Sequence, residues 1–306
     1  MRSCAPGRDE PSARIAAGVF GAPMTLAPPV AVETPSGKDA AYENFPVGSL
    51  LLPARLRPHV AVFYDFARAI DDIADNANLD AADKVSRLQA FEDVLMGRGR
   101  DVRGYEKAAR MRDSLDATNV TPRHCADLIA AFKQDATKLR YRDWDELMGY
   151  CVLSAAPVGR YLLDLHAERV SGYAAADALC IALQVINHLQ DCQDDYRKLD
   201  RVYLPGDWMA EHGAALAELD LRASPPGLRA VFDRTLDGVA ELLTHARPLP
   251  ATLQSRRLAM ESSAILRIAH RLSALLRRRD PLASRVQLNR ADYLWCCVRG
   301  AIAAVL

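Results

Sequence analysis

ALQVINHLQDCQDDYRKLDRVYLP, residues 182–205, starts as an apolar helix through Leu183, Val185, Ile186 and Leu189. Set into it are Asn187, Asp191, Asp194 and Asp195. Asn187, Asp191 and Asp195 step by four, so on a helix they share one face, and Asp194 flanks it. Like charges at this spacing repel, and more strongly if the face is buried. An apolar helix with stacked acids therefore calls for a cation. Oxygen-only donors suit a hard one, Mg²⁺ or Mn²⁺.

A second stretch answers the first. Residues 63–75 read FYDFARAIDDIAD. Asp71 and Asp75 are again four apart, with Asp72 beside them, and Phe63, Phe66, Ala67, Ile70 and Ile73 make the rest apolar. Arg68 stands three and four residues before Asp71 and Asp72, within reach of both on a helix. One such motif alone is most simply a solvated face. Two, both embedded in apolar helices, need partners, because buried acids are costly. If the helices face each other, the acids line a mouth for several Mg²⁺ ions. Mg²⁺ takes one or two carboxylates and completes its shell with water and phosphate oxygens, so such a mouth would clamp a diphosphate. Arg68, Arg140 and Arg201 are candidate diphosphate donors through their bidentate fork.

Composition narrows the classes. Of 306 residues half are hydrophobic and a quarter charged, an ordinary globular balance. Lys+Arg and Asp+Glu are equal at 39 each, so no global field attracts nucleic acid and anion binding must be local. Seven Cys are scattered without CxxC or Cys/His metal spacing, which reads as reduced thiols of a cytoplasmic protein. Vicinal Cys296 and Cys297 read as packing rather than redox chemistry. No apolar run approaches the ~18–20 residues that span a bilayer, and the N-terminus lacks a signal-peptide core.

Residues 1–37 are rich in Ala, Pro and Gly and read as a mobile N-terminal extension. Asn44 and Phe45, before Pro46, mark the start of structure. Helical periods follow over 59–75, 80–98, 105–117, 123–141, 144–164, 174–197, 227–245, 253–279 and 290–305. Asp143 is a candidate cap for the helix at 144, and Pro157 should kink it. Ser154, Ala155, Ala156 and Gly159 in that helix allow close approach of a backbone or ligand. No useful period-2 strand and no GxGxxG, P-loop, GxSxG or HExxH occurs. The expectation is all-α, a single domain over 38–306. The His residues are unclustered and none is expected to ligate a metal; His188, beside Asn187, is the one to watch.

At these residues the chain resembles the squalene/phytoene synthase family of head-to-head prenyl transferases. The matching segments are ENFPVGSLLLPARLRPHVAVFYDFARAIDDIAD (43–75), GYCVLSAAPVGRYLLDL (149–165), NHLQDCQDDYRKLDRVYLP (187–205) and RRRDPLASRVQLNRADYLWCCVRG (277–300). ENFPV, HLQDCQDDYRKLDRVYLP and RRRDPLASRV most resemble the bacterial hydroxysqualene synthase branch. Members of that branch act in hopanoid-type squalene synthesis and convert presqualene diphosphate to hydroxysqualene. The resemblance implies a helical isoprenoid-synthase bundle around a central cavity. It implies Mg²⁺ (or Mn²⁺) bound by Asp71 and Asp75, with Asp72 nearby, and by Asn187, Asp191 and Asp195. Arg68, Arg201 and Arg285 would hold diphosphate.

The chain also departs from the family pattern. Leu153 stands at the family's tyrosine in the second segment, Asn44 where many relatives carry Ser, Gln190 where squalene and phytoene synthases have Arg, and Ala269 near another tyrosine position. Missing hydroxyls favour a partial reaction that starts from presqualene diphosphate, and Leu153 is equally compatible with impaired catalysis. The aromatic rings of Phe45, Phe63, Tyr64 and Phe66 are candidates to line the pocket and shield a carbocation. No nicotinamide fingerprint is present, so NADPH is not expected. A hydrocarbon substrate implies transient contact with the inner membrane, through the apolar end AIAAVL unless that end is core, and with neighbouring pathway enzymes. Two other readings stay open: condensation of two farnesyl or geranylgeranyl diphosphates, and a non-catalytic assembly partner.

Overall fold

The computed structural model of the chain describes residues 32–33, 52–98 and 103–303. Both acid-bearing stretches are helices. The first is α1 (Arg57–Ala74), opened by Pro58, whose missing N–H costs nothing in a first turn. It buries Phe63, Phe66, Ala69, Ile70 and Ile73 along one face. α2 (Ala81–Leu95) starts where Asp80 accepts the Asp83 N–H at 2.8 Å, a cap worth ~1 kcal/mol. α3 (Glu106–Thr118) and α4 (Arg123–Asp135) follow. With α1 and α6 (Ala156–Leu165) they enclose an apolar core around Phe66, Phe91, Met111 and Ile129.

A second core surrounds α7 (Tyr173–Leu199), the longest helix among the described residues. α5 (Trp144–Ser154), α6, α9 (Pro226–Ala246) and α11 (Arg256–Leu276) all pack against it. Gly159 of α6 makes this closeness feasible, since a Cβ there would stand 2.9 Å from the Cys180 Sγ. Ser255 caps α11, accepting the Leu258 N–H at 3.3 Å, and α12 (Arg290–Ala303) lies along α11. Among the described residues, Val170–Leu199 is the single stretch long and apolar enough to cross a membrane. Half of its most apolar window is buried inside the protein, and its polar face belongs to the site described below.

Sheet among the described residues is limited to a parallel pair, β1 (Arg140–Tyr141) and β2 (Val202–Pro205). This pair corrects the helix expected over 123–141, which ends at Asp135. It has a purpose for the site. Asp200 takes a left-handed conformation (φ 52°) at the end of α7, which Asp tolerates better than most residues. The chain then folds back, the Arg201 N–H bonds the Asp195 carbonyl at 3.1 Å, and β2 runs beside β1 into the short α8 (Gly206–Glu211). Arg201 is thereby set next to the end of α4.

The helix expected over 144–164 is two helices. Pro157 has no N–H for the Leu153 carbonyl, so the chain breaks at Ala155 and restarts as α6 rather than merely kinking. Asp143 caps α5 as expected, accepting the Glu146 N–H at 2.9 Å. The helix expected over 253–279 is α11, preceded by the short α10 (Leu249–Thr252). Val32 and Glu33, within the stretch read as an extension, are held to the body. Arg87 donates to the Val32 carbonyl at 2.7 Å, and Lys107 pairs with Glu33 at 2.9 Å. The remainder of 1–37, together with 38–51 and 304–306, lies outside the described residues.

Candidate active site

The two cores leave a cavity between them, walled by α1, α4, α5, α6, α7, α10 and α11. Its walls are largely apolar, with Phe63, Tyr64, Leu162, Leu179 and Leu183 among them. One region is ionic. There α1 contributes Arg68, Asp71 and Asp75, α7 contributes Asn187, Asp191 and Asp195, and Arg201 and Arg285 complete the ring. Residues more than a hundred positions apart in sequence thus line one mouth. The four-residue spacing that marks them in the sequence is what turns each set to the same side of its helix.

Asp71, Asp72, Asp75 and Asp191 are each met by an arginine. Arg68 reaches Asp71 at 2.5 Å and Asp72 at 3.0 Å, one turn along α1. Asp72 is buried and absent from the cavity wall, so it holds Arg68 in place rather than facing the cavity. Arg201 is only 5% exposed. It binds Asp75 at 2.6 Å, the Ala74 carbonyl at 2.8 Å and the Asp135 carbonyl at 3.1 Å. Burial works against its charge, but Tyr203, Asp75 and Asp135 outweigh it and keep the guanidinium firmly protonated. On α7, Arg285 Nε lies 3.1 Å from Asp191 Oδ1.

Beneath the ionic ring lies a polar layer that the motif reading did not assign. Asp135 is buried and accepts from Tyr150 Oη at 2.7 Å and from Tyr203 Oη at 2.9 Å. Burial pushes its carboxyl up to about 6, against the charge of Arg201 and the two hydroxyls. His188 stacks on Tyr203 with ring centres 3.8 Å apart. Burial, aided by Arg201, lowers its pKa to about 3, so the ring is neutral. Asp135, Tyr150, His188 and Tyr203 all line the cavity. So does Glu261 on α11, whose buried Oε2 has no hydrogen-bond partner. Desolvation raises this carboxyl to about 7.

Several expected residues stand elsewhere. Leu153 is not in the cavity wall but packs against the α7 core. It precedes the cavity-lining Ser154 and is turned about 100° from it round the helix. The nearby hydroxyls in the wall come from Ser154 itself and from Tyr150, one turn earlier. Gln190 is buried and also outside the wall, and its amide donates to the Val286 carbonyl at 2.5 Å. It therefore ties α7 to the segment that carries Arg285. Arg140 pairs with Asp200 at 2.5 Å, away from the cavity. Phe66 is fully buried against Phe91 rather than lining the pocket, and Ala269 is likewise core. Asn44 and Phe45 lie outside the described residues.

The donor set of the mouth is all oxygen, as a hard cation prefers. Among the described residues no three His, Cys, Asp or Glu side chains converge closely enough to hold an ion unaided. Mg²⁺ takes only one or two protein carboxylates and fills its shell with water and phosphate oxygens. Asp71, Asp75, Asn187, Asp191 and Asp195 fit such a role. The surrounding arginines suit an anion.

Similarity to known proteins agrees with this arrangement. Residues 39–292 match the squalene/phytoene synthase family. The hydroxysqualene synthase of Rhodopseudomonas palustris is 44% identical over 264 residues, 86% of this chain and 89% of that protein. The hydroxysqualene synthase of Zymomonas mobilis is 40% identical, over 85% of this chain and 87% of that protein. Among solved structures, the squalene synthase HpnC of Alicyclobacillus acidocaldarius superposes with a TM-score of 0.66 at 28% identity, covering 76% of this chain and 87% of that one. A dehydrosqualene synthase shares the fold at a TM-score of 0.69 and 20% identity, covering 83% and 88%. With both acidic helices facing one cavity, the chain belongs to the squalene/phytoene synthase family of enzymes.

Proposed function

We propose that this enzyme converts presqualene diphosphate to hydroxysqualene, releasing diphosphate in a Mg²⁺-dependent reaction. The observation that carries the reading is the single mouth formed by Asp71, Asp75, Asn187, Asp191, Asp195, Arg201 and Arg285 over an apolar cavity. The identity to proteins named hydroxysqualene synthase supports the choice of substrate.

The diphosphate would sit at the mouth, where Arg201 and Arg285 offer N–H donors to its oxygens. Mg²⁺ would neutralise charge as the C–O bond breaks, with Asp71, Asp75, Asn187, Asp191 and Asp195 holding it. The fixed guanidinium of Arg201 needs no reorganisation at that moment, the condition under which preorganised charge is most effective. The cyclopropylcarbinyl cation then rearranges between apolar walls that include Phe63 and Tyr64. Water captures the cation, a C–O bond forms, and one proton leaves with the diphosphate or solvent. No nicotinamide step is part of this reading. The hydrocarbon substrate makes the enzyme a cytoplasmic protein with transient peripheral contact at the inner membrane.

Condensation of two farnesyl diphosphates is the second reading. It is favoured by Tyr150, which places a hydroxyl in the cavity one turn before Leu153. Product analysis by mass spectrometry separates the two. Purified enzyme with Mg²⁺ is given presqualene diphosphate or farnesyl diphosphate in separate reactions. A C30 alcohol from presqualene diphosphate alone is expected. Turnover of farnesyl diphosphate, or a reduced product with NADPH, would refute the proposal.

A further inference from the structure

The last two helices carry a feature the active site does not use. Four of the exposed large apolar side chains sit on α12: Leu294 (64% exposed), Trp295 (62%), Val298 (45%) and Ile302 (50%). Their spacing sets them on one side of the helix. The opposite side is fully engaged. Cys296 is buried there, and Gly300 comes so close to Ala264 that a Cβ would stand 2.4 Å from its Cα. A contiguous exposed apolar face of this kind marks a docking surface.

Charge identifies what it meets. The chain as a whole is neutral, yet residues 256–303 contain ten arginines, no lysine and three acids. Those acids are occupied or hidden. Glu261 is buried, Asp280 binds the Ser224 N–H and hydroxyl, and Asp292 binds Arg271. Arg290 and Arg299 on α12, and Arg256 and Arg257 at the start of α11, are exposed and have no acidic partner among the described residues. The Arg299 guanidinium lies over the Trp295 ring at 5.3 Å. Tryptophan and arginine bordering an apolar stripe is the composition of a helix that lies in a membrane interface.

We infer that α12 docks this enzyme onto an anionic lipid bilayer, with Leu294, Trp295, Val298 and Ile302 entering the acyl boundary and the surrounding arginines meeting the headgroups. A second copy of the chain is the poorer occupant, because a two-fold contact would set one arginine-rich hairpin against another. The inference rests on the prenyl-diphosphate reading for its purpose: the docked helix backs α11, whose other side lines the cavity through Leu258, Ser262 and Ile265. A hydrocarbon substrate would then be taken from the phase in which it resides.

The test uses the full chain and sucrose-loaded vesicles of phosphatidylcholine, alone or mixed with phosphatidylglycerol, without substrate. The wild type is expected to sediment with the anionic vesicles, to be released by high salt, and to show a blue-shifted tryptophan emission. Trp295→Ala combined with Val298→Ser should lower binding about tenfold or more. Arg290→Glu combined with Arg299→Glu should do the same on anionic vesicles. Both variants should keep the wild-type melting temperature and wild-type turnover in detergent. No sedimentation, equal binding to neutral vesicles, or wild-type binding by both variants would overturn the inference. So would a dimer, seen by analytical ultracentrifugation, that Trp295→Ala dissolves. Vesicle binding by a protein that turns over no prenyl diphosphate would uphold the docking surface and refute the proposed reaction; turnover in detergent without vesicle binding would do the reverse.

Discussion

The acidic faces of α1 and α7 have the same four-residue spacing and opposite electrostatic settings. The α1 face is neutralised from within the fold. Arg68 bridges Asp71 and Asp72, and Arg201, brought 126 residues along the chain, is buried against Asp75. The α7 face meets Arg285, which is one-third exposed and held by a segment tied down through Gln190. Spacing therefore tells which acids face the same way and nothing of what balances them. Where the balancing arginine is buried, the pair is part of the architecture, and its loss leaves a charge stranded. Where it is exposed, the pair is weak and free to exchange partners.

The largest expected effects test what the two faces share. Asp71→Ala and Asp191→Ala should each lower kcat/KM about 10²–10³-fold on the accepted prenyl diphosphate. Retention of near-wild-type turnover by either would break the picture of one joint mouth. The next effect separates the faces. Arg201→Met leaves Asp75 and the adjacent Asp135 without their cation, so unfolding in urea should show a loss of roughly 3–5 kcal/mol. Arg285→Met should cost under ~1 kcal/mol. Equal losses would mean the burial contrast carries no energetic weight.

The helical class, the central place of 182–205 and the pairing of both DxxxD faces were legible in the sequence, because helical periodicity fixes which side chains share a side. What periodicity cannot show is a partner from another element. Asp135 ends α4, and its links to Tyr150 on α5 and Tyr203 on β2 join separate elements that no single period connects. Leu153 takes its expected place in the site from the family resemblance alone, at the family's tyrosine position. On α5 the face turned to the cavity carries Tyr150 and Ser154 instead. Gln190 was read as a substituted binding residue, whereas its buried amide serves a loop carbonyl 96 positions away. Phe66 was assigned to the pocket from its aromatic character, while its face of α1 points into the core.

Glu261 offers a sharper contrast with the mouth: a carboxyl in the same cavity with an unpartnered buried oxygen. Desolvation raises its pKa from 4.5 to about 7. The folded protein thus holds this proton more tightly than the unfolded chain. Its contribution to stability is full below pH 4.5 and is lost as pH rises through about 7. Glu261→Gln removes that titration. Relative to wild type, the variant should gain on the order of 3 kcal/mol between acid and mildly alkaline solution. Parallel stability curves for the two proteins would show that the carboxyl is solvated.

The smallest effect bears directly on the α7 face. Arg285 Nε lies 3.1 Å from Asp191 Oδ1, so a cation binding there must displace a guanidinium. Arg285→Gln removes that competitor and also removes a donor to diphosphate. The two consequences have opposite signs. The Mg²⁺ concentration for half-maximal activity should fall by a few-fold, about 1 kcal/mol or less for an exposed pair. The KM for the prenyl diphosphate should rise by a similar factor, because a charge-assisted bond to phosphate is lost. On α1 the same trade is unavailable, since Arg68 is shared between Asp71 and the buried Asp72. Arg68→Gln should therefore raise the Mg²⁺ requirement or leave it unchanged, by stranding Asp72. If both variants shift the Mg²⁺ requirement downward, the two faces are electrostatically alike and the contrast drawn from burial is wrong.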